Sequence, residues 1–254
     1  MDLPQPVSAE LERDLENLRQ LNRYFGSYAV IRHFARRWIR PGDNLRLVDL
    51  ATGSGDIPRL LADHARKVGA RVQIEALDQQ GATIEIARRL SFAYPEISFV
   101  QADILEWNPV EPCDIVFNSL ALHHFSEAGA VRLLRRCREL SRQFVLVSDL
   151  RRGLLATIGV YLLTALIFRE PMTREDGRTS AARAFSFAEL EDLARQAGWE
   201  NFSHRKFRFA RQAIWMELSP VSRATERAAG CLLLLLMMLS FATAAIDPLC
   251  RWLD

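Results

Sequence analysis

Between Leu45 and Ala65 the chain changes its hydrophobic period within a few residues. Leu45, Leu47, Val48 and Leu50 have the apolar character of a strand buried on both faces, whereas Ile57, Leu60, Leu61 and Ala65 repeat at helical spacing. The junction reads Asp49-Leu50-Ala51-Thr52-Gly53-Ser54-Gly55-Asp56. A buried strand that passes directly into a helix is the start of a parallel crossover, which restricts the chain to an α/β architecture. Gly53 and Gly55 allow positive φ at the turn and let the backbone approach a ligand where a Cβ would collide.

The same alternation continues along the chain. Strands are expected near 45–51, 71–77, 97–101, 113–119 and 143–149, separated by helices over 56–68, 82–93 and 127–141. Residues 8–40 read as a helical cap, interrupted at Tyr24-Phe25-Gly26-Ser27-Tyr28 and closed by Pro41-Gly42-Asp43. Ser186-Phe187-Ala188-Glu189 has the form of a capping box opening a helix that Gly198 stops, and strands near 200–208 and 212–218 should pair as a hairpin. The expected fold is α/β: a Rossmann-like, seven-stranded, mostly parallel sheet with helices on both faces and an antiparallel final hairpin.

The charges of the glycine turn narrow its ligand. A dinucleotide fingerprint aims a helix N-terminus at a pyrophosphate and wants a third small residue where this chain has Pro58. Here Asp49 precedes the glycines and Asp56 follows them. Two carboxylates repel a pyrophosphate and favour a cation that carries an amino group and a sulfonium, which describes S-adenosylmethionine. Asp78, with Gln79 beside it, ends the second strand where an acid accepts from ribose hydroxyls, although it would serve a nicotinamide dinucleotide equally. Against a dehydrogenase, the positions four before Lys67 and Lys206 are Asp63 and Phe202, so no Tyr-x-x-x-Lys is present.

The turn resembles the first motif of class I S-adenosylmethionine-dependent methyltransferases, D-x-G-x-G-x-G, with Ala51 in place of the first glycine. The resemblance runs from about residue 20 to residue 218. It implies that the backbone around Ala51, Gly53 and Gly55 lies against the methionine moiety while Asp49 holds its amino group, and that Asp103 and Ile104 contact the adenine. Asp114 to Phe125 resembles the family's fourth motif, which passes Asn118 and Ser119 beside the reacting methyl group. His123 or His124 could then act as general base toward a phenol or enol, the alternative being that they shape the cofactor floor or cap a helix. Asp103 could equally cap its own turn. Arg151, at the end of the fifth strand, could hold an acceptor oxygen or brace a lid. Through Asn22-Arg23-Tyr24-Phe25, Asp49 to Gly53 and an apolar lid, the chain is most similar to the small-molecule branch that includes ubiquinone and menaquinone biosynthesis methyltransferases. Those enzymes generally lack the His-His pair, so the resemblance leaves the acceptor and O- versus C-methylation open. A cofactor-binding protein without turnover is the remaining alternative.

Composition excludes other classes. Hydrophobic residues make up 49% of the chain and the formal net charge is only +2, which fits neither a disordered segment nor a supercharged nucleic-acid binder. The arginines are scattered, no zinc-finger pattern accompanies them, and neither a nucleic-acid partner nor a metal is expected. Cys113, Cys137, Cys231 and Cys250 show no metal or redox spacing and read as buried free thiols of a cytoplasmic protein, without a signal peptide. Leu154 to Phe168 is an uncharged run expected to form one or two helices of a lid spanning 150–183, with a charged loop from 169. Beyond a methyltransferase domain at 41–218, the tail 219–254 contains nineteen uncharged residues, Ala228 to Ile246. That run is long enough for attachment to the inner face of a membrane, or it packs as a helix on the domain or between subunits. With the lid it points to a lipophilic acceptor.

Overall fold

A computed structural model describes residues 6–153 and 171–218. The apolar runs 154–168 and 228–246 lie outside the described residues. The elements follow the order α1 (Ala9–Tyr24), α2 (Ser27–Trp38), β1 (Asn44–Leu50), α3 (Asp56–Val68), β2 (Arg71–Asp78), α4 (Gly81–Leu90), β3 (Ile97–Gln101) and β4 (Cys113–Ser119). A short 3-10 turn at Leu122–His124 leads to α5 (Glu127–Leu140), β5 (Ser141–Leu150), α6 (Pro171–Arg183), α7 (Phe187–Gln196), β6 (Phe202–Phe207) and β7 (Arg211–Glu217).

The seven strands form one sheet in the order β3-β2-β1-β4-β5-β7-β6. Pairing is parallel through β5, and β7 runs antiparallel to both β5 and β6. The strand order reverses beside β1, so the β1 and β4 carboxyl ends open a crevice, the usual ligand position in such sheets. One face of the sheet, with Leu47, Ile74, Ile115, Phe117 and Leu146, packs under α2 and α3. Residues of the opposite parity, such as Val48, Val116, Val145 and Val147, are also buried, and α5 packs on β4 and β5 with α7 behind it. Burial on both faces is why these strands read as continuous apolar runs rather than alternating ones.

Local signals fix several element ends. Gly26 takes φ +93° and separates α1 from α2, with a backbone conformation that side-chain-bearing residues resist. Ser186 and Glu189 form the reciprocal capping box at the start of α7. Cys113 and Cys137 are buried free thiols that burial pushes up to about 11 and about 12, which keeps them unreactive. One expectation differs: residues 171–183, read as part of a charged loop, are the helix α6. Its sequence, PMTREDGRTSAAR, lacks an apolar stripe at helical spacing, so periodicity carried no signal for it.

Candidate active site

The carboxyl ends of β1, β2, β4 and β5 open into a cavity of about 1040 Å³, which α1, α6 and the β6-β7 turn also border. Asp49, Ala51, Gly53, Asp78, Gln79, Asp103, Ile104, His123 and His124 all line it. Gly55 and Asn118 do not appear on its wall. Gly55 sits at φ +73° where a Cβ would come within 2.8 Å of the Phe99 ring, so its missing side chain serves packing of the turn on β3. Asn118 is buried and donates from Nδ2 to the Leu50 carbonyl at 2.8 Å, holding the end of β4 to the end of β1.

Gly53 has the opposite character. At φ +55° it faces no protein atom within 4 Å of where a Cβ would stand, so its surface is left open to the cavity. Its N–H donates to Asp78 Oδ2 at 3.0 Å, and Gln80 N–H donates to Asp78 Oδ1 at 3.0 Å, which aims that carboxylate along the cavity wall. Burial raises the Asp78 pKa above the usual carboxylate range. Asp49 is 1% exposed, and its Oδ2 has no hydrogen-bond partner. Burial pushes Asp49 up to about 8, against the opposing effect of the neighbouring Thr52 hydroxyl, with Asp56 and Asp78 adding repulsion. A buried carboxylate oxygen without a partner, on a residue that lines the cavity, is suited to a donor or cation that the protein itself does not supply.

The floor of the cavity is more apolar. Ile104 is buried, and Asp103 is exposed with Oδ1 accepting the Leu105 N–H at 2.8 Å, so it caps its own turn while still lining the cavity. Leu15, Leu18, Leu120, Phe125 and Phe209 complete an apolar wall. From α1, Asn22 donates to Asp56 Oδ2 at 3.0 Å and ties the helical cap to the start of α3. Opposite, Arg211 donates from Nε to the Phe25 carbonyl at 3.0 Å, and burial pulls this guanidinium down to about 10. The Arg151 Nε is buried and has no hydrogen-bond partner among the described residues.

His123 and His124 have different surroundings. His123 is 3% exposed, and its Nδ1 lies 2.6 Å from Asp149 Oδ1; the His124 ring packs beside it at 4.3 Å between centroids. Asp149 as the partner of His123 was missed in the sequence. β4 and β5 are neighbours and pair Ser119 with Ser148, which is the signal that could have joined the two.

Comparison with known proteins identifies this architecture. Residues 47–143 match the family described as a methyltransferase domain. Over 81 residues the chain is 37% identical to the 2-phytyl-1,4-naphtoquinone methyltransferase of Thermosynechococcus vestitus, covering 32% of this chain and 35% of that protein. The chain thus spans about a third of the length of the curated relatives it matches. Among solved structures, an S-adenosylmethionine-dependent methyltransferase from Aquifex aeolicus superposes with a TM-score of 0.58 at 13% identity, over 82% of this chain and 98% of that one. The plantazolicin methyltransferase BpumL in complex with SAH gives a TM-score of 0.61 at 10% identity, over 83% and 90%. Residues 47–143 are thus similar to a methyltransferase domain, and the sheet around them has the fold of these S-adenosylmethionine-dependent methyltransferase structures.

Proposed function

We propose that the chain transfers the methyl group of S-adenosylmethionine to a small, apolar acceptor bound in the same cavity. One observation carries the reading: Asp49, whose buried Oδ2 has no partner, lines the same cavity as Gly53, which leaves open space there. The ligand's ammonium would satisfy that oxygen, its ribose hydroxyls would meet Asp78, and its adenine would lie near Asp103 and Ile104. When bound, the cofactor supplies an electrophilic methyl on a sulfonium. The protein's part is to position the acceptor in line with it and to exclude water, which supplies much of the rate of such displacements.

The apolar wall of Leu15, Leu18, Leu120, Phe125 and Phe209 supports a lipophilic acceptor. So does the name of one relative, which gives a phytylated naphthoquinone as its substrate. Attachment of the chain to the cytoplasmic face of a membrane through residues 228–246 belongs to the same proposal and rests on the sequence of that run. No helix among the described residues is long and apolar enough to cross a membrane.

Titration calorimetry with S-adenosylhomocysteine is the first test, followed by incubation with methyl-labelled S-adenosylmethionine and a host lipid extract. Binding and a labelled lipid product are expected. Gly53→Arg, which fills the open space, should abolish both. Heat with NADH and none with S-adenosylhomocysteine would sink the proposal, and binding without any labelled product would favour a non-catalytic role.

A further inference from the structure

At the cavity wall formed by the ends of β4 and β5, one carboxylate organises the histidine segment. Asp149 Oδ1 meets His123 Nδ1 at 2.6 Å and accepts the Leu150 N–H at 2.8 Å, and its Oδ2 accepts the His123 N–H at 2.9 Å. Both side chains are buried, at 3% and 1% exposure. Because each carboxylate oxygen already accepts a backbone N–H, the proton in the short bond is assigned to Nδ1 of His123. The ring nitrogen that can accept a proton is then Nε2, and His123 lines the cavity. The buried Arg211 of β7 lies close enough to Asp149 for their charges to interact, and Asp78 of β2 lies close enough to His124 for the same. The cofactor groups assigned above to Asp49, Asp78, Asp103 and Ile104 leave this pair unused.

We propose that Asp149 is a positioning residue that holds His123 in the Nδ1–H tautomer, so that Nε2 takes the proton of an acceptor hydroxyl, and that the acceptor is accordingly a phenol or an enol. This rests on the methyl-transfer reading. The acceptor O–H bond breaks, its proton passing to Nε2 and its electron pair staying on oxygen. That pair forms the bond to the methyl carbon while the carbon–sulfur bond breaks and its pair goes to sulfur. The imidazolium then returns the proton to water. An un-ionised phenol is a poor nucleophile, so the base matters most for weakly acidic acceptors and least for acceptors already ionised.

The full chain is assayed with methyl-labelled S-adenosylmethionine and two probes, 1-naphthol, un-ionised at neutral pH, and 2,4-dinitro-1-naphthol, already ionised there. His123→Gln and Asp149→Asn should each slow transfer to 1-naphthol by roughly 10²-fold, within the usual range for general base catalysis, and change transfer to the dinitro compound only a few-fold. S-adenosylhomocysteine binding should be retained in both variants. Equal slowing with both probes would reduce the pair to a structural brace and overturn the proposal, as would slowing with neither. Because Asp149 also holds two backbone N–H groups, His123→Gln, which leaves them in place, controls for folding. Nitrogen-15 NMR of histidine-labelled protein gives a readout independent of the acceptor. Nδ1–H is expected for His123 in the unaltered chain and Nε2–H in Asp149→Asn; Nε2–H in the unaltered chain would overturn the proposal even where neither naphthol is methylated. Failure of the unaltered chain to bind S-adenosylhomocysteine would instead refute the methyl-transfer reading, which tells the two failures apart.

Discussion

Among the described residues, the four non-glycine positions with positive φ are Ala51, Leu120, Phe209 and Ala210, and all four line the cavity. Each such conformation costs roughly 1–2 kcal/mol for a residue with a Cβ. Their gathering at one site is the pattern of strain held where a ligand is bound. Ala51 stands where the resembling motif carries glycine, and φ +61° supplies the reason for glycine there. Asp49 bears the clearest electrostatic cost. Its carboxyl moves from an ordinary value of 3.8 to about 8 through burial, so the folded protein keeps its proton at neutral pH. In the unfolded chain the group ionises above about 4, and stability should therefore fall as pH rises from about 4 toward 8. A bound ammonium would reverse the preference, so binding of S-adenosylhomocysteine near pH 7 is expected to release up to one proton and to tighten as pH rises from 6 to 8. Calorimetry in two buffers of different ionisation heat measures the release, and Asp49→Asn should abolish it.

The glycine turn joins β1 to α3 and divides its duties between two residues that the sequence presents alike. Gly53 borders open space, whereas Gly55 is covered by Phe99 from β3. Gly55→Ala should cost about 2–4 kcal/mol, from left-handed strain plus overpacking, read as a lower urea midpoint. Elements with a strong period were legible: β1, α3, β4 and α5 lie within a residue or two of their expected spans, because each buries a face or stripe that dictates its apolar spacing. The capping box at Ser186 was legible for the same reason, since its hydrogen bonds are local. Helix α6 was not. It contributes Gly177, Ser180 and Ala181 to the cavity, and a helix that borders a cavity with small residues shows no apolar stripe to read.

At the scale of the whole molecule, two distant parts of the chain close the site. Asn22 and Phe25 at the end of α1 are held by Asp56 and by Arg211 from the final hairpin, 186 residues away in the case of Phe25. The cap, the glycine turn and the hairpin thereby enclose one cavity. Removal of residues 226–254 should leave S-adenosylhomocysteine binding intact and move the chain from the membrane to the soluble fraction on cell fractionation. A full-length chain found wholly soluble, with unchanged activity toward lipid extract after the deletion, would count against membrane attachment.

The sequence by itself determined the fold class, the strand and helix succession through β5, and the acidic, glycine-containing turn with its preference for a cationic ligand. These follow from interactions between residues close in the chain: hydrophobic period, capping and turn chemistry. Tertiary structure alone decided that Asn118 and Gly55 brace the site from behind its wall, that Asp49 keeps an unmatched oxygen, and that Asp149 holds His123. Each of those depends on which strands become neighbours and how deeply a side chain is buried. Strand adjacency and burial are set by the packing of the entire sheet, and no local pattern of residues encodes them.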